Sequence, residues 1–132
     1  MPRRNLALQA APAASNPARE RRFSALRSCL RHAREALDLS FDQFGRALGV
    51  SGETVRRWES GVIALPESQW AAVTLLDQEV RRLEALFEPD RLPMAVRRPA
   101  ELFGGRMALD WILEGRAQEV ADLYEAALLY QG

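Results

Sequence analysis

Apolar side chains recur along this chain at helical intervals. Phe23, Leu26, Leu30, Ala33 and Leu37 are spaced 3, 4, 3 and 4, which predicts an amphipathic helix starting near Arg19, with Arg21, Arg27, Arg31 and Arg34 on its other face. Asp38-Leu39-Ser40 then interrupts the pattern. Ser40 can cap a second helix, with Gln43 three residues on as the reciprocal half of a capping box. Phe41, Phe44 and Leu48 form one face of that short helix, and Gly49 stops it. Ser51 caps a third helix in which Val55 and Trp58 point inward, while Glu53, Arg56, Arg57 and Ser60 project from the opposite side until Gly61 ends it.

Beyond Leu65-Pro66, the positions Trp70, Val73, Leu76, Val80, Leu83 and Phe87 predict a long helix reaching about Phe87. Pro89, Pro93 and Pro99 make residues 88–100 poor in helix, with room for one short turn around Met94 to Arg97. Two further helices, Met107 to Glu114 and Ala117 to Tyr130, are separated by Gly115. There is no internal repeat and no alternating run of strand length, so the expected fold is all-α. The expected organisation is a mobile basic arm over 1–18, a helical domain over 19–87, a linker over 88–98 and a second helical module over 99–132.

Charge changes this picture more than composition does. The 18 arginines balance 18 acidic residues, and lysine is absent. Residues 1–57 hold 11 basic and 5 acidic side chains, whereas residues 58–132 hold 7 and 13. A basic half joined to an acidic half suggests two different partners, and overall neutrality leads us to expect weak DNA binding by the isolated chain. One cysteine, Cys29, permits no internal disulfide or multi-cysteine zinc site, and one histidine, His32, excludes an HExxH motif. Neither has a catalytic companion, and the carboxylates form no recognisable dyad. We therefore expect no enzyme, no catalytic residue, no metal and no cofactor. No run approaches a membrane span, and Leu6 to Ala14 is too short and too rich in Ala and Pro for a signal-peptide core, so the expected address is the cytoplasm.

The segment Ser40 to Gly61 reads as helix-turn-helix, whose second helix enters the DNA major groove. Gly45 allows close approach of the two helices, and Gly49 accepts the turn. The expected DNA contacts are Gln43, Ser51, Glu53, Thr54, Arg56 and Arg57. Ser51 at a helix N-terminus can meet phosphate, Glu53 can accept from a cytosine amino group, and either arginine can reach guanine or phosphate. The plain alternative is a set of solvated side chains with Glu53 and Arg57 paired at i,i+4. Gly52 supplies no side chain near the bases. The arm and the first helix are expected to touch phosphates.

This stretch, ending Trp58-Glu59-Ser60-Gly61, resembles the Xre family of bacterial and phage regulators. Further on, Pro99-Ala-Glu-Leu-Phe-Gly-Gly-Arg106, Leu109-Asp110, Glu114-Gly115-Arg116 and Glu119-Val120 resemble the toxin-binding domain of Xre/MbcA/ParS-type antitoxins. The resemblance spans roughly residues 40–132. It departs from that pattern at Ala108, where the family prefers Pro, and in the tail Leu-Leu-Tyr-Gln-Gly. It implies an antitoxin that neutralises a RES-domain, NAD-consuming toxin and represses its own operon on double-stranded operator DNA, as a homodimer. It also implies toxin contacts at Gly104, Gly105, Arg106, Trp111, Arg116 and Tyr130. Read from the residues alone, Arg106 is as well explained by pairing with Asp110 or another acid, and Trp111 by burial in the core. A stand-alone repressor and a protein adaptor that has lost DNA binding are the alternatives.

Overall fold

The first helix starts where Asn16 accepts a hydrogen bond from the Arg19 amide at 3.1 Å, with Pro17 at the first helical position. The structure, a computed structural model, describes residues 16–130. The expected arm over 1–18 therefore lies outside the described residues up to position 15, and its last two residues are helical. Gln131 and Gly132 are likewise outside. Among the described residues there are seven α-helices and no strand. They are α1 (Pro17–Ala36), α2 (Phe41–Leu48), α3 (Gly52–Ser60), α4 (Glu67–Glu84), α5 (Leu92–Val96), α6 (Ala108–Leu113) and α7 (Ala117–Leu129), with a 3₁₀ turn at Glu101–Phe103. The fold is all-α, as the pattern predicts.

The turn chemistry follows the sequence closely. Ser40 and Gln43 close their capping box through bonds of 3.1 and 3.0 Å, and Gly49 and Gly61 end α2 and α3 at φ 74° and 80°. Helix α4 stops three residues before Phe87: the Ala85 amide makes the last bond to a carbonyl four residues back, and the Leu86 amide switches to a turn-type bond to Leu83 ahead of Pro89. Phe87 still packs, edge-on to Tyr124 with ring centroids 5.0 Å apart.

One hydrophobic core runs through both halves of the chain. Helix α1 supplies Leu26, Leu30 and Leu37, α4 supplies Val73, Val80 and Leu83, and the C-terminal segment adds Phe103, Ile112 and Val120. The proline-rich connection joins it too, since Leu92 and Val96 are fully buried. Arg97 then reaches back to the turn after α1, donating to the Leu37 carbonyl at 2.8 Å and the Asp38 carbonyl at 2.7 Å. Asp38 is the single non-glycine residue with a left-handed backbone among those described, at φ 53°.

Buried charge is paired throughout. Asp77 accepts from His32 Nδ1 at 2.5 Å and from Arg81 at 2.9 Å, and the other nitrogen of His32 faces Glu84 at 2.7 Å. Arg82 on α4 forks to Glu79 at 2.6 Å and, across to α7, to Asp122 at 2.7 Å and Glu125 at 2.6 Å. Cys29 and His32, expected to be passive, thus sit within a structural network; burial, with the Asp77 charge adding to it, raises the Cys29 thiol above its ordinary range.

Candidate functional site

The approach of α2 and α3 depends on two positions without side chains. A Cβ on Gly45 would lie 2.5 Å from the Val50 carbonyl oxygen, so only glycine lets the chain turn this tightly here. Gly52 is buried, and a Cβ there would lie 2.1 Å from an Asp42 carboxylate oxygen and 2.7 Å from the Asp42 backbone nitrogen. Gly52 therefore faces the first motif helix, and its missing side chain is a packing requirement. Phe44, Val55 and Trp58 complete the contact from the inner faces, all buried.

A further correction concerns Arg34. The periodicity places it on the outer face of α1, but its guanidinium turns inward and grips Glu59 of α3 through bonds of 2.6 and 3.0 Å. The Glu59 hydrogen bond raises the Arg34 pKa. Glu59 is only 6% exposed, and Arg34 also lies 4.4 Å from the ring centroid of Phe41. This pair fixes the end of α3 against α1. The motif glutamate in Trp58-Glu59-Ser60-Gly61 is thus a structural anchor, a role that a single sequence does not reveal. Arg27 and Arg31 remain on the surface-facing side, lining a hollow of about 380 Å³ with Ser24 and Ser28.

The polar face of α3 carries an ion cluster. Arg56 Nε donates to Glu53 Oε2 at 2.9 Å, Arg56 Nη2 pairs with Oε1, and Arg57 Nε donates to the same Oε1 at 3.1 Å. All three side chains are about half exposed. The bond from Arg56, with its charge and that of Arg57, holds the Glu53 carboxyl down to about 2. Ser51 accepts from the Thr54 amide at 3.1 Å, and the two hydroxyls lie 2.8 Å apart, so both serve the helix start. The Gln43 carbonyl oxygen is likewise occupied by its capping bond to Ser40. Of the six expected DNA contacts, the structure brings Ser51, Glu53, Thr54, Arg56 and Arg57 together along α3 and sets Gln43 on the neighbouring α2.

The second expected surface forms around α6. Gly104 and Gly105 have φ 68° and 83°, and each places its missing side chain in open space. Arg106 pairs with Glu114 rather than Asp110, because Asp110 caps α6 by accepting the Met107 amide at 3.1 Å. The bond to Arg106 lowers the Glu114 pKa. Trp111 is half-buried, edge-on to Phe103 at 5.3 Å, and the Arg116 guanidinium lies 3.7 Å from its ring centroid. Arg116 also pairs with Glu119 at 2.8 Å. Tyr130, 81% exposed, stands apart from these residues beside exposed Leu128 and Leu129 at the end of α7.

Residues 25–85 match the family model of a helix-turn-helix domain. A chain of the crystal structure of the M. tuberculosis MbcT–MbcA toxin–antitoxin complex shares the fold, with a TM-score of 0.63 at 22% identity, covering 81% of this chain and 96% of that one. Among curated proteins, none matches the chain. The domain match identifies the helix-turn-helix, and the structural likeness shows a shared fold.

Proposed function

We propose, from a helix-turn-helix domain set within a fold shared with a toxin–antitoxin chain, that this protein is the antitoxin of a type II pair. It binds operator DNA through α3 and neutralises a RES-domain, NAD-consuming toxin through its C-terminal segment. The observation that carries the DNA half is the exposed face of α3, whose angle to α2 is held by Gly45 and Gly52 and whose end is tied to α1 by the Arg34–Glu59 pair. Arg56 and Arg57 are its cations, with Glu53 and Thr54 beside them for base edges. A homodimer reading a palindromic operator would present two copies of α3 to half-sites ~34 Å apart or a multiple of it.

The toxin half is supported by the surface around α6 and the end of α7. Trp111 under Arg116, and the exposed Leu128, Leu129 and Tyr130, combine aromatic and arginine groups of the kind that anchor protein interfaces. Acidic residues dominate this half of the chain, so it is better suited to a protein partner than to the duplex. Two measurements test the reading. Co-expression with the adjacent reading frame should yield a complex that Tyr130→Ala weakens; a monodisperse antitoxin without a second chain removes the toxin assignment. A salt-dependent shift assay on the upstream DNA should show that the double variant Arg56→Ala, Arg57→Ala binds more weakly and with a shallower salt slope. Equal binding by parent and variant removes the α3 assignment.

A further inference from the structure

We propose that Glu53 is a specificity gate: its carboxylate holds both arginines of α3 until a base in the major groove offers it an amino group. The inference rests on the DNA-binding reading above and adds a mechanism of discrimination to it. Arg56 and Arg57 are the two cations of α3, and both donate to this one carboxylate. A phosphate would compete for Arg56 Nε and Nη2 and for Arg57 Nε, so backbone binding through those groups has to pull them off Glu53. It also leaves a carboxylate facing polyanionic DNA, an arrangement of like charges that disfavours wrong sites.

The space beside the carboxylate indicates what would relieve this. A notch of about 310 Å³ is lined by Ser40, Phe41, Asp42, Gly52, Glu53 and Arg56. Gly52 contributes no side chain to it, and the Asp42 carboxylate lies against Gly52 on the α2 side. The notch thus brings carboxylate oxygens from two helices, Asp42 of α2 and Glu53 of α3, beside the Arg56 guanidinium. Its carboxylates suit an exocyclic amino group, cytosine N4 or adenine N6. At a site with that amino group in reach, Glu53 turns to the base and frees Arg56 and Arg57 for guanine or the backbone. At any other site the three side chains keep one another. The low carboxyl pKa keeps Glu53 ionised throughout the neutral range, so the gate does not depend on pH there.

The test compares binding to duplexes selected by the parent from a random 30-bp pool with binding to the unselected pool. Glu53→Gln keeps the shape and removes the charge. It should tighten binding to the pool about tenfold at ~0.1 M salt and steepen the salt slope by about 0.9 for each added phosphate contact. Discrimination between selected duplex and pool should fall about tenfold, the scale of one lost base contact. Glu101→Gln, an equal charge change at an exposed acid away from α3, should leave discrimination unchanged. Glu53→Asp, which retains the carboxylate, should keep pool binding weak. Unchanged discrimination in Glu53→Gln, or an equal loss in Glu101→Gln, overturns the gate while DNA binding stands. Failure of the parent to bind any duplex overturns the DNA reading and the gate with it. Because Glu53 is exposed on a capped helix, circular dichroism of the variant should match the parent.

Discussion

Replacing Arg34 with Met should destabilise the protein far more than removing an exposed arginine. Arg34 and Glu59 have side-chain exposures of 18% and 5%, and their fork uses bonds of 2.6 and 3.0 Å. Breaking a buried pair from one side costs about 3–5 kcal/mol, because the remaining charge loses its compensation. The residual exposure of Arg34, and the Arg31 guanidinium that stays 3.8 Å from the Glu59 carboxylate, favour the lower end of that range, and the lost contact with the Phe41 ring adds about 0.5–1 kcal/mol. We therefore expect about 3–4 kcal/mol for Arg34→Met, a drop of roughly 10–15 °C in Tm for a chain of this size. Glu59→Leu should cost less, since Arg34 can turn toward water and keep the Leu39 carbonyl as a partner. The double variant should recover to within about 1 kcal/mol of the parent, as apolar replacements of buried pairs commonly do. Urea unfolding of all four proteins closes the cycle. A cost below about 1 kcal/mol for Arg34→Met, with no coupling to Glu59, would show that the pair does not hold α3 on α1.

Other expectations follow from the same geometry. Gly52→Ala gains up to about 1 kcal/mol of helix propensity but sets a Cβ 2.7 Å from the Asp42 nitrogen, so we expect net destabilisation of about 1–2 kcal/mol by urea unfolding. Greater stability than the parent would contradict that packing. Arg82→Met leaves the buried Glu79 without its cation and sets Asp122 and Glu125 free, and hydrogen exchange in α7 should accelerate more than in α1. The bond from Arg82 lowers the Glu125 pKa, as that from Arg106 does for Glu114. Each folded carboxyl therefore titrates below its unfolded value of about 4.3. Their contribution to stability is complete above that value and is lost as pH falls through the folded pKa, so Tm should decline on acidification below about pH 4.5. Arg82→Met should flatten the Glu125 share of that decline.

Local chemistry was legible in the sequence, and distant pairing was not. Ser40, Gln43, Gly49, Ser51 and Gly61 announce helix ends because each acts on backbone within a few residues of itself. The apolar spacing likewise located the first and the long fourth helix, and Gly115 separated the two after Gly105. Arg34 was misplaced because its partner lies 25 residues away, and periodicity assigns a face without knowing what another helix will offer it. The bonds from Arg97 to the turn after α1 and from Arg82 to α7 span 59 and 43 residues, and no spacing rule anticipates them. That Gly52 supplies no side chain near the bases was legible, but not that Asp42 packs against it. In α3 the i,i+4 pair of Glu53 with Arg57 was legible in the spacing and is present, whereas the fork from Arg56 to the same carboxylate emerged only with the side-chain positions.

The grip of Arg97 on the Leu37 and Asp38 carbonyls also bears on how such a chain can be recombined. Its hold lies at the entrance to the helix-turn-helix, on backbone that any residue provides, and Leu92 and Val96 are seated in the same core. Transplanting the C-terminal segment onto another helix-turn-helix therefore needs a matching left-handed turn at the acceptor's position 38, not a matching side chain. A chimaera cut between Phe87 and Leu92 without that turn would leave the Arg97 guanidinium with the Pro93 carbonyl alone and two apolar side chains without a seat. Under the function proposed above, exchange of partner specificity should consequently succeed by surface substitution on α6 and α7 more readily than by swapping whole segments.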